Sequence, residues 1–418
     1  MLEKIKVPTD ELKVGMYVHE LDRPWLDSPF LFQGFIIDSK EVLRQLQETC
    51  IYVIVDQQKT RLDAGEGFSN ITDKEMNKQF DPEANSPPPV SVSFEQESQL
   101  ANTIRNNTFI SLGNLYSALA RKKRIDVKEV VTSVEQMVKS VMRNPDAQLW
   151  LSHLRDISVH TALHSINVCI LALSFGRHLG LNERELAELG VGALLHDIGK
   201  LRMPKDILNK PGILDDQELA LMRRHPELGV ELLQEQTQDL SQSSLDVIRY
   251  HHERPTGKGY PKGLSALQLD LLPQIVGIVD VYDAITNDQA YRQGMATTDA
   301  LSEIFRSRHD EFDNTLIEQF IQCMGTYPIG SVVQLSSGEI GIVMSTSQGR
   351  RLMPKLKVIM DAEQQLYCPA KFLDLYQLRN EDGSATIDIK KVLRPADIGI
   401  NVSDFIQQEL APELAKQV

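Results

Sequence analysis

Eight of the ten histidines in this 418-residue chain fall between His153 and His252; the other two are His19 and His309. A metal site is the commonest cause of such clustering. In chain order the candidates are His164 in HSINV, His196 and Asp197 in LLHDIGK, His225 in RRHPELG, His251 and His252 in YHHE, and Asp280 with Asp283 in VDVYDAIT. Imidazole mixed with carboxylate, without thiolate, suits Fe, Mn, Ni or Zn rather than Ca or Mg alone. Five imidazoles and at least two carboxylates exceed what one ion can use while leaving a coordination position for water, so two metals are implied. A carboxylate such as Asp197 can bridge them, one oxygen to each. Two ions about 3.5–4 Å apart can activate a bridging hydroxide and stabilise an in-line displacement at phosphorus. The expected chemistry is metal-assisted phosphoester hydrolysis.

A lone buried histidine is more often a hydrogen-bonded core residue than a ligand, and His153 and His178 keep that reading. The His196-Asp197 dipeptide by itself is a weak signal. Its place at the end of an apolar helix, followed in order by His-Pro, His-His and a final Asp, is a specific one.

The elements that must position these side chains are helical. Between residues 150 and 310 the apolar residues recur at helical spacing, and almost no period-2 alternation is found. The expected fold is multidomain: an all-α helical bundle core at 150–325, a small N-terminal α+β domain at 1–70, and a small C-terminal β module with tail at 326–418. Residues 71–93, polar and holding Pro82 and Pro87 to Pro89, read as a linker. Residues 94–149 read as a helical connector that packs on the bundle or on a second subunit, which allows a homodimer. The strands of the last module are expected to end near Leu378.

Composition narrows the function classes. Hydrophobic content of 42% with 24% charged residues is that of a globular chain, and the net charge of −14 argues against a general binder of nucleic acid or anionic membrane. Any phosphate ligand must be held locally. No signal-peptide h-region and no membrane-length apolar run is read, so a cytoplasmic protein is expected. Cys50, Cys169, Cys323 and Cys368 lack CxxC spacing and fit reduced thiols.

The stretches HSINV, LLHDIGKLRMPKDILNKPGILDDQE, MRRHPELG, HHERPTGKGYPKGL and VDVYDAIT together resemble the HD superfamily of metal-dependent phosphohydrolases, and more closely its HD-GYP subgroup. The resemblance implies an HD-type bundle and hydrolysis of cyclic di-GMP to linear pGpG, in some members onward to GMP, by metal-activated hydroxide attack on phosphorus. It implies a bimetal or trimetal centre, commonly iron or manganese, and a role in the bacterial switch from biofilm to motility. The family pattern makes His164, His196, Asp197, His225, His251, His252 and Asp280 the ligands, with Asp197 bridging. It gives Lys200 a phosphate contact, and with it the catalytic pair Asp197 and Lys200. The substrate-binding set is Lys200, Gly259, Tyr260, Pro261 and Arg292. Gly257, Gly259 and Gly263 are expected to supply backbone conformations closed to other residues, while Pro261 stiffens the loop. Lys205, Lys210, Arg254, Lys258 and Lys262 lie in the same segments and would draw a dianionic ligand.

Three departures from the family pattern stand out. Thr256 replaces an Asp in the GYP segment. Gln289, Ala290, Tyr291 and Arg292 stand where Arg-Pro-Tyr is usual, which removes one basic phosphate contact. His160 takes the place of the Glu that serves a third metal, and since imidazole cannot bridge as a carboxylate does, two metals are favoured over three. The N-terminal VGMYV and YVIVD resemble a domain of unknown role often found before HD-GYP domains, and YPIGSVVQLSSGEIGIV resembles a β tail common in them. Thr256 and Gln289 favour a rival reading: a cyclic di-GMP-binding protein of weak or no turnover that contacts diguanylate cyclases or adaptors through its GYP loop. A hydrolase of another nucleotide is the second rival.

Overall fold

The computed structural model describes residues 4–22, 35–37, 40–56, 60, 88–121, 123, 127–154, 160–208, 210, 212–287, 294–346, 353–378 and 386–410. The chain divides into two compact units, residues 1–80 with 324–326, and residues 81–323 with 327–418.

In the first unit, strands β1 (Lys4–Pro8), β2 (Tyr17–Leu21), β3 (Phe35–Ile36) and β4 (Tyr52–Asp56) form an antiparallel sheet in the order β1-β4-β2-β3, with helix α1 (Lys40–Thr49) between β3 and β4. Alternation sets the faces: Val53 and Val55 of β4 point with Val18, Leu21 and Ile37 into a core that Leu46 of α1 closes. This is the α+β unit expected from the sequence. Most of the 71–93 linker lies outside the described residues.

The second unit is built on α2 (Phe94–Ala120), α3 (Lys128–Arg143), α4 (Pro145–Leu151), α5 (His160–His178), α6 (Glu183–Leu195), α7 (Lys205–Leu208), α8 (Asp216–Met222), α9 (His225–Gln234), α10 (Gln242–Tyr250), α11 (Leu271–Thr286), α12 (Thr297–Glu311) and α13 (Asn314–Met324). Capping boxes start three of them: Ser93 with Gln96, Asn182 with Glu185, and Asp215 with Glu218 each satisfy two otherwise orphaned N–H donors. Helix α5 is the axis. Every residue from Ser165 to Arg177 is buried, so the helix is enclosed all round where ordinary helices bury one stripe, and Ser165, Asn167, Ser174 and Arg177 are buried with its apolar residues. It packs against α6, α11 and the N-terminal α2, α3 and α4. The connector helices are thus part of the bundle, and α3 shows why: Val130, Val134, Met137, Val138 and Val141 form one buried face.

Strands β5 (Val332–Leu335), β6 (Ile340–Ser345), β7 (Lys355–Met360), β8 (Leu366–Asp374) and β9 (Ile389–Leu393) complete the second unit as an antiparallel sheet in the order β8-β7-β6-β5-β9, followed by α14 (Val402–Leu410). The sheet does not end near Leu378 as the sequence suggested. IKKVL supplies a fifth strand that pairs with β5 at an edge, where its two lysines can stay exposed and mask the strand pattern. The sheet joins the bundle through polar contacts, such as the Thr346 N–H donated to Asp146 Oδ2 at 3.0 Å. His153 Nε2 lies 2.8 Å from the Ile329 carbonyl, and His178 Nε2 lies 3.2 Å from Gln319 Oε1, the structural roles expected of both. Among the described residues no helix is long and apolar enough to cross a membrane.

Candidate metal centre

Helix ends deliver most of the candidate ligands. His196 caps the C-terminus of α6, and Asp197 caps the start of a 3-10 turn over Ile198–Arg202. His225 opens α9, where Pro226 fits the first turn because its missing N–H has no acceptor there. His251 and His252 follow the last residue of α10. Only His164, on α5, and Asp280 with Asp283, on α11, sit within helices. The turn after α6 presses closely on α9. A Cβ on Gly199 would lie 1.9 Å from the His225 carbonyl oxygen, so only glycine lets Asp197 approach His225.

Seven predicted ligands converge. Asp197 Oδ2 is 3.3 Å from His196 Nε2 and 3.9 Å from His164 Nε2, while Oδ1 is 3.3 Å from His225 Nε2. Asp280 Oδ1 is 3.1 Å from His164 Nε2 and 3.8 Å from His196 Nε2. His225 Nε2 faces His251 Nε2 at 3.4 Å, and His252 completes a triad with them. His164, His196 and Asp197 form the other triad. One carboxylate therefore turns an oxygen toward each group.

One device orients three of the rings. Nδ1 of His196, His225 and His251 lies 2.7, 2.9 and 2.9 Å from the carbonyl oxygen three residues earlier, on Ala193, Met222 and Ile248. A carbonyl only accepts, so each Nδ1 carries the proton and each Nε2 presents a bare lone pair. His164 is held differently, with Nδ1 2.7 Å from Asp283 Oδ2. Such outer partners fix the ring and raise its basicity toward a metal.

These residues fit a bound cation. His196 Nε2 is buried and makes no hydrogen bond. The lone pairs of His225 and His251 face one another with no proton between them. Three carboxylates, Asp197, Asp280 and Asp283, are gathered at a site where His196, Asp197, His225 and His251 expose 4% or less of their surface. Buried charge of one sign needs a counter-ion. Lys200 supplies part of it, with Nζ 2.5 Å from Asp197 Oδ2.

The electrostatics follow. Burial pushes Asp197 up, but Lys200 and then His196 outweigh it and hold the carboxyl well below its usual range. Burial lowers the Lys200 pKa, yet the Asp197 charge more than restores it, for a net rise. His251 is driven well below its ordinary value, by burial first and then by the neighbouring imidazoles, and burial takes His252 down to about 3. His164 goes the other way: burial lowers it, but Asp280 and Asp283 together lift it to about 10.

The GYP segment forms a loop beside His252. Thr256 pairs with Ser265 as an isolated bridge, and buried Glu253 accepts the N–H groups of Lys262, Gly263 and Leu264 at 2.6, 3.1 and 2.9 Å. Gly257 and Gly263 have φ of +75° and +67°, as expected. Gly259 does not. Its glycine is required instead by space, since a Cβ there would lie 2.3 Å from the Arg254 amide nitrogen. The Tyr260-Pro261 bond is cis, and the Tyr260 ring stacks on His252 at 4.7 Å and 27°. Lys210 is paired with Glu218 and Arg254 with Glu311, so neither is held in reserve for a ligand, whereas Lys205, Lys258 and Lys262 are exposed. Arg292, Gln289 and the side chain of His160 lie outside the described residues.

Two participants escaped the sequence reading. Asp283 was seen beside Asp280 but not given its His164 partner, though three residues apart on a helix is one face. Glu253 follows the His pair directly, and its burial was the missing clue.

The HD domain family matches residues 133–316, and a family described as a domain of unknown function, DUF3391, matches residues 4–147. A Pseudomonas aeruginosa protein named cyclic di-GMP phosphodiesterase PA4108 is 33% identical over 371 residues, covering 88% of each chain. A Vibrio cholerae protein named 3'3'-cGAMP-specific phosphodiesterase 2 is 32% identical over 165 residues, which is 40% of this chain and 32% of its own length. Among solved structures, Bd1817, an HDG"Y"P protein from Bdellovibrio bacteriovorus, is similar with a TM-score of 0.45 and 17% identity over 77% of this chain and 99% of that one. A relative matched across nearly the full length, an HD domain and the intact run of motifs from His164 to Asp280 lead to one conclusion: the chain belongs to the HD-GYP family of HD-domain proteins.

Proposed function

We propose that this protein is a metal-dependent phosphodiesterase that hydrolyses cyclic di-GMP to linear pGpG. The observation that carries the reading is the Asp197 carboxylate, with Oδ2 and Oδ1 each 3.3 Å from an imidazole Nε2 of a different group. The substrate class is supported by the activity for which the P. aeruginosa relative is named. His164, His196 and Asp280 would hold one divalent transition ion, iron or manganese, and His225, His251 and His252 would hold a second, with Asp197 placed to serve both. Such ions, when bound, lower the pKa of water and withdraw charge from phosphoryl oxygens.

The remaining work falls to the chain. The Nδ1 contacts hold the imidazoles in one tautomer, so the donor set is in place before substrate arrives. Lys200, with about a third of its side chain exposed at 34%, keeps its ammonium on Asp197 and presents an open side to a phosphate oxygen. Gly259, Tyr260 and Pro261 form the wall next to His252. In the overall reaction the bond from phosphorus to the 3′ oxygen breaks and an oxygen from water replaces it. One proton of that water ends on the departing 3′ oxygen, and the other is released with the new 5′-phosphate.

The test is incubation of anaerobically purified, iron- or manganese-loaded full chain with cyclic di-GMP, with products separated by chromatography. Appearance of pGpG is expected; return of the uncut dinucleotide from metal-loaded protein would refute the proposal and favour the binding module.

A further inference from the structure

Resting on that reading, we propose that Arg223 selects the base of the substrate, favouring guanine over adenine. Four of the cations around the candidate cluster are committed. Lys200 is paired with Asp197, Arg202 with Glu231 and Glu235, Lys210 with Glu218, and Arg254 with Glu311. Arg223 is not: among the described residues its side chain makes no ion pair or hydrogen bond, and it is exposed. Its position is nevertheless defined. The guanidinium carbon lies 5.5 Å from the centroid of the Tyr260 ring, which itself stacks on His252, so one aromatic ring separates Arg223 from a candidate ligand.

A phosphodiester held at the cluster would bring its nucleoside within reach of the residues beside His252, which include Tyr260 and, next to it, Arg223. A guanidinium offers a rigid fork of donors. Guanine presents two acceptors, O6 and N7, that match the fork; adenine presents N7 beside an amino donor that opposes it. The free arginine is therefore suited to reading the base. A role confined to neutralising phosphate would not distinguish the two.

The experiment titrates cleavage-resistant phosphorothioate forms of cyclic di-GMP and cyclic di-AMP into manganese-loaded full chain, wild type, Arg223→Lys and Arg223→Ala. Metal content of each variant is measured in parallel and is expected to match wild type. Wild type is expected to bind the guanine ligand more tightly, and both variants to lose about tenfold for it. Arg223→Lys keeps the charge without the fork, so its affinity for the adenine ligand should stay unchanged and the preference should collapse. Equal losses for both ligands, or a preference that survives in both variants, overturns the inference while leaving the phosphodiesterase reading intact. Failure of wild type to bind either dinucleotide overturns both.

Discussion

The two donor groups on either side of Asp197 are built from different material. His164 and His196 share their side with Asp280 and, through His164, with Asp283, so carboxylate charge dominates there. Among the described residues the triad of His225, His251 and His252 has one carboxylate partner in an ion pair, Asp197 through His225, and the charge of Asp280 reaches His252 from the other side. The consequence is opposite proton affinity in one small cavity. His164 is lifted to about 10, while His252 falls to about 3 and His251 further below its ordinary value. The directions favour a second, charge-giving proton on His164 and oppose one on His251 and His252. Metal binding would then compete with an extra proton on the first side only.

Removing what the sides share should have the largest effect. Asp197→Ala takes a donor from both groups and releases Lys200 from its partner. Elemental analysis should find both ions lost, and turnover of cyclic di-GMP should fall on the order of 10³-fold. Full activity in this variant would exclude a bridging role.

One-sided changes come next. Asp280→Asn should empty the carboxylate-rich side and leave the imidazole triad occupied, and His252→Ala should do the reverse. Each variant is expected to retain one ion per chain. Loss of both ions in either one would show that the two sides fill only as a unit and erase the distinction between them. Asp283→Asn is milder because, among the described residues, the side-chain partner given to Asp283 is Nδ1 of His164, one step removed from the candidate cation. Metal affinity on that side should drop about 10–100-fold, with the imidazole side unaffected, as read by competition with a chelator.

How far such detail could be read in advance depended on whether a role is set by residue order or by space. The seven candidate ligands were legible because the motifs from HSINV to VDVYDAIT keep the family's residue order, with His196 and Asp197 closing an apolar helix and Asp280 interrupting another. The bundle was legible from the helical spacing of apolar residues between 150 and 310 and the near absence of alternation there. The tautomer-setting carbonyls of Ala193, Met222 and Ile248 were not, because backbone acceptors have no residue type. Gly259 looked like a conformational glycine, and only the approach of the Arg254 amide shows that it is a spatial one. Arg254 stands in the sequence among cations that would draw a dianionic ligand, and the fold brings Glu311, 57 positions along the chain, to 3.4 Å from it. Strand β9 was hidden by its lysines.

The smallest effect is a pair of pH slopes in the metal-free protein, and their signs separate the two sides. His164 has a folded pKa of about 10, above the unfolded value near 6.5. Its stabilising contribution is full below about 6.5 and is lost as pH rises toward 10, because over that range the folded state binds the extra proton. His252, at about 3, is the reverse. Between pH 6.5 and 3 the unfolded state binds the extra proton, so stability falls as pH falls. Each slope is bounded by one proton, or about 1.4 kcal/mol per pH unit. Urea unfolding in chelator should therefore show His164→Gln flattening the alkaline limb and His252→Gln flattening the acid limb. If both variants flattened the same limb, the two groups would share one electrostatic environment, and the contrast between the two sides in their affinity for an extra proton would be wrong.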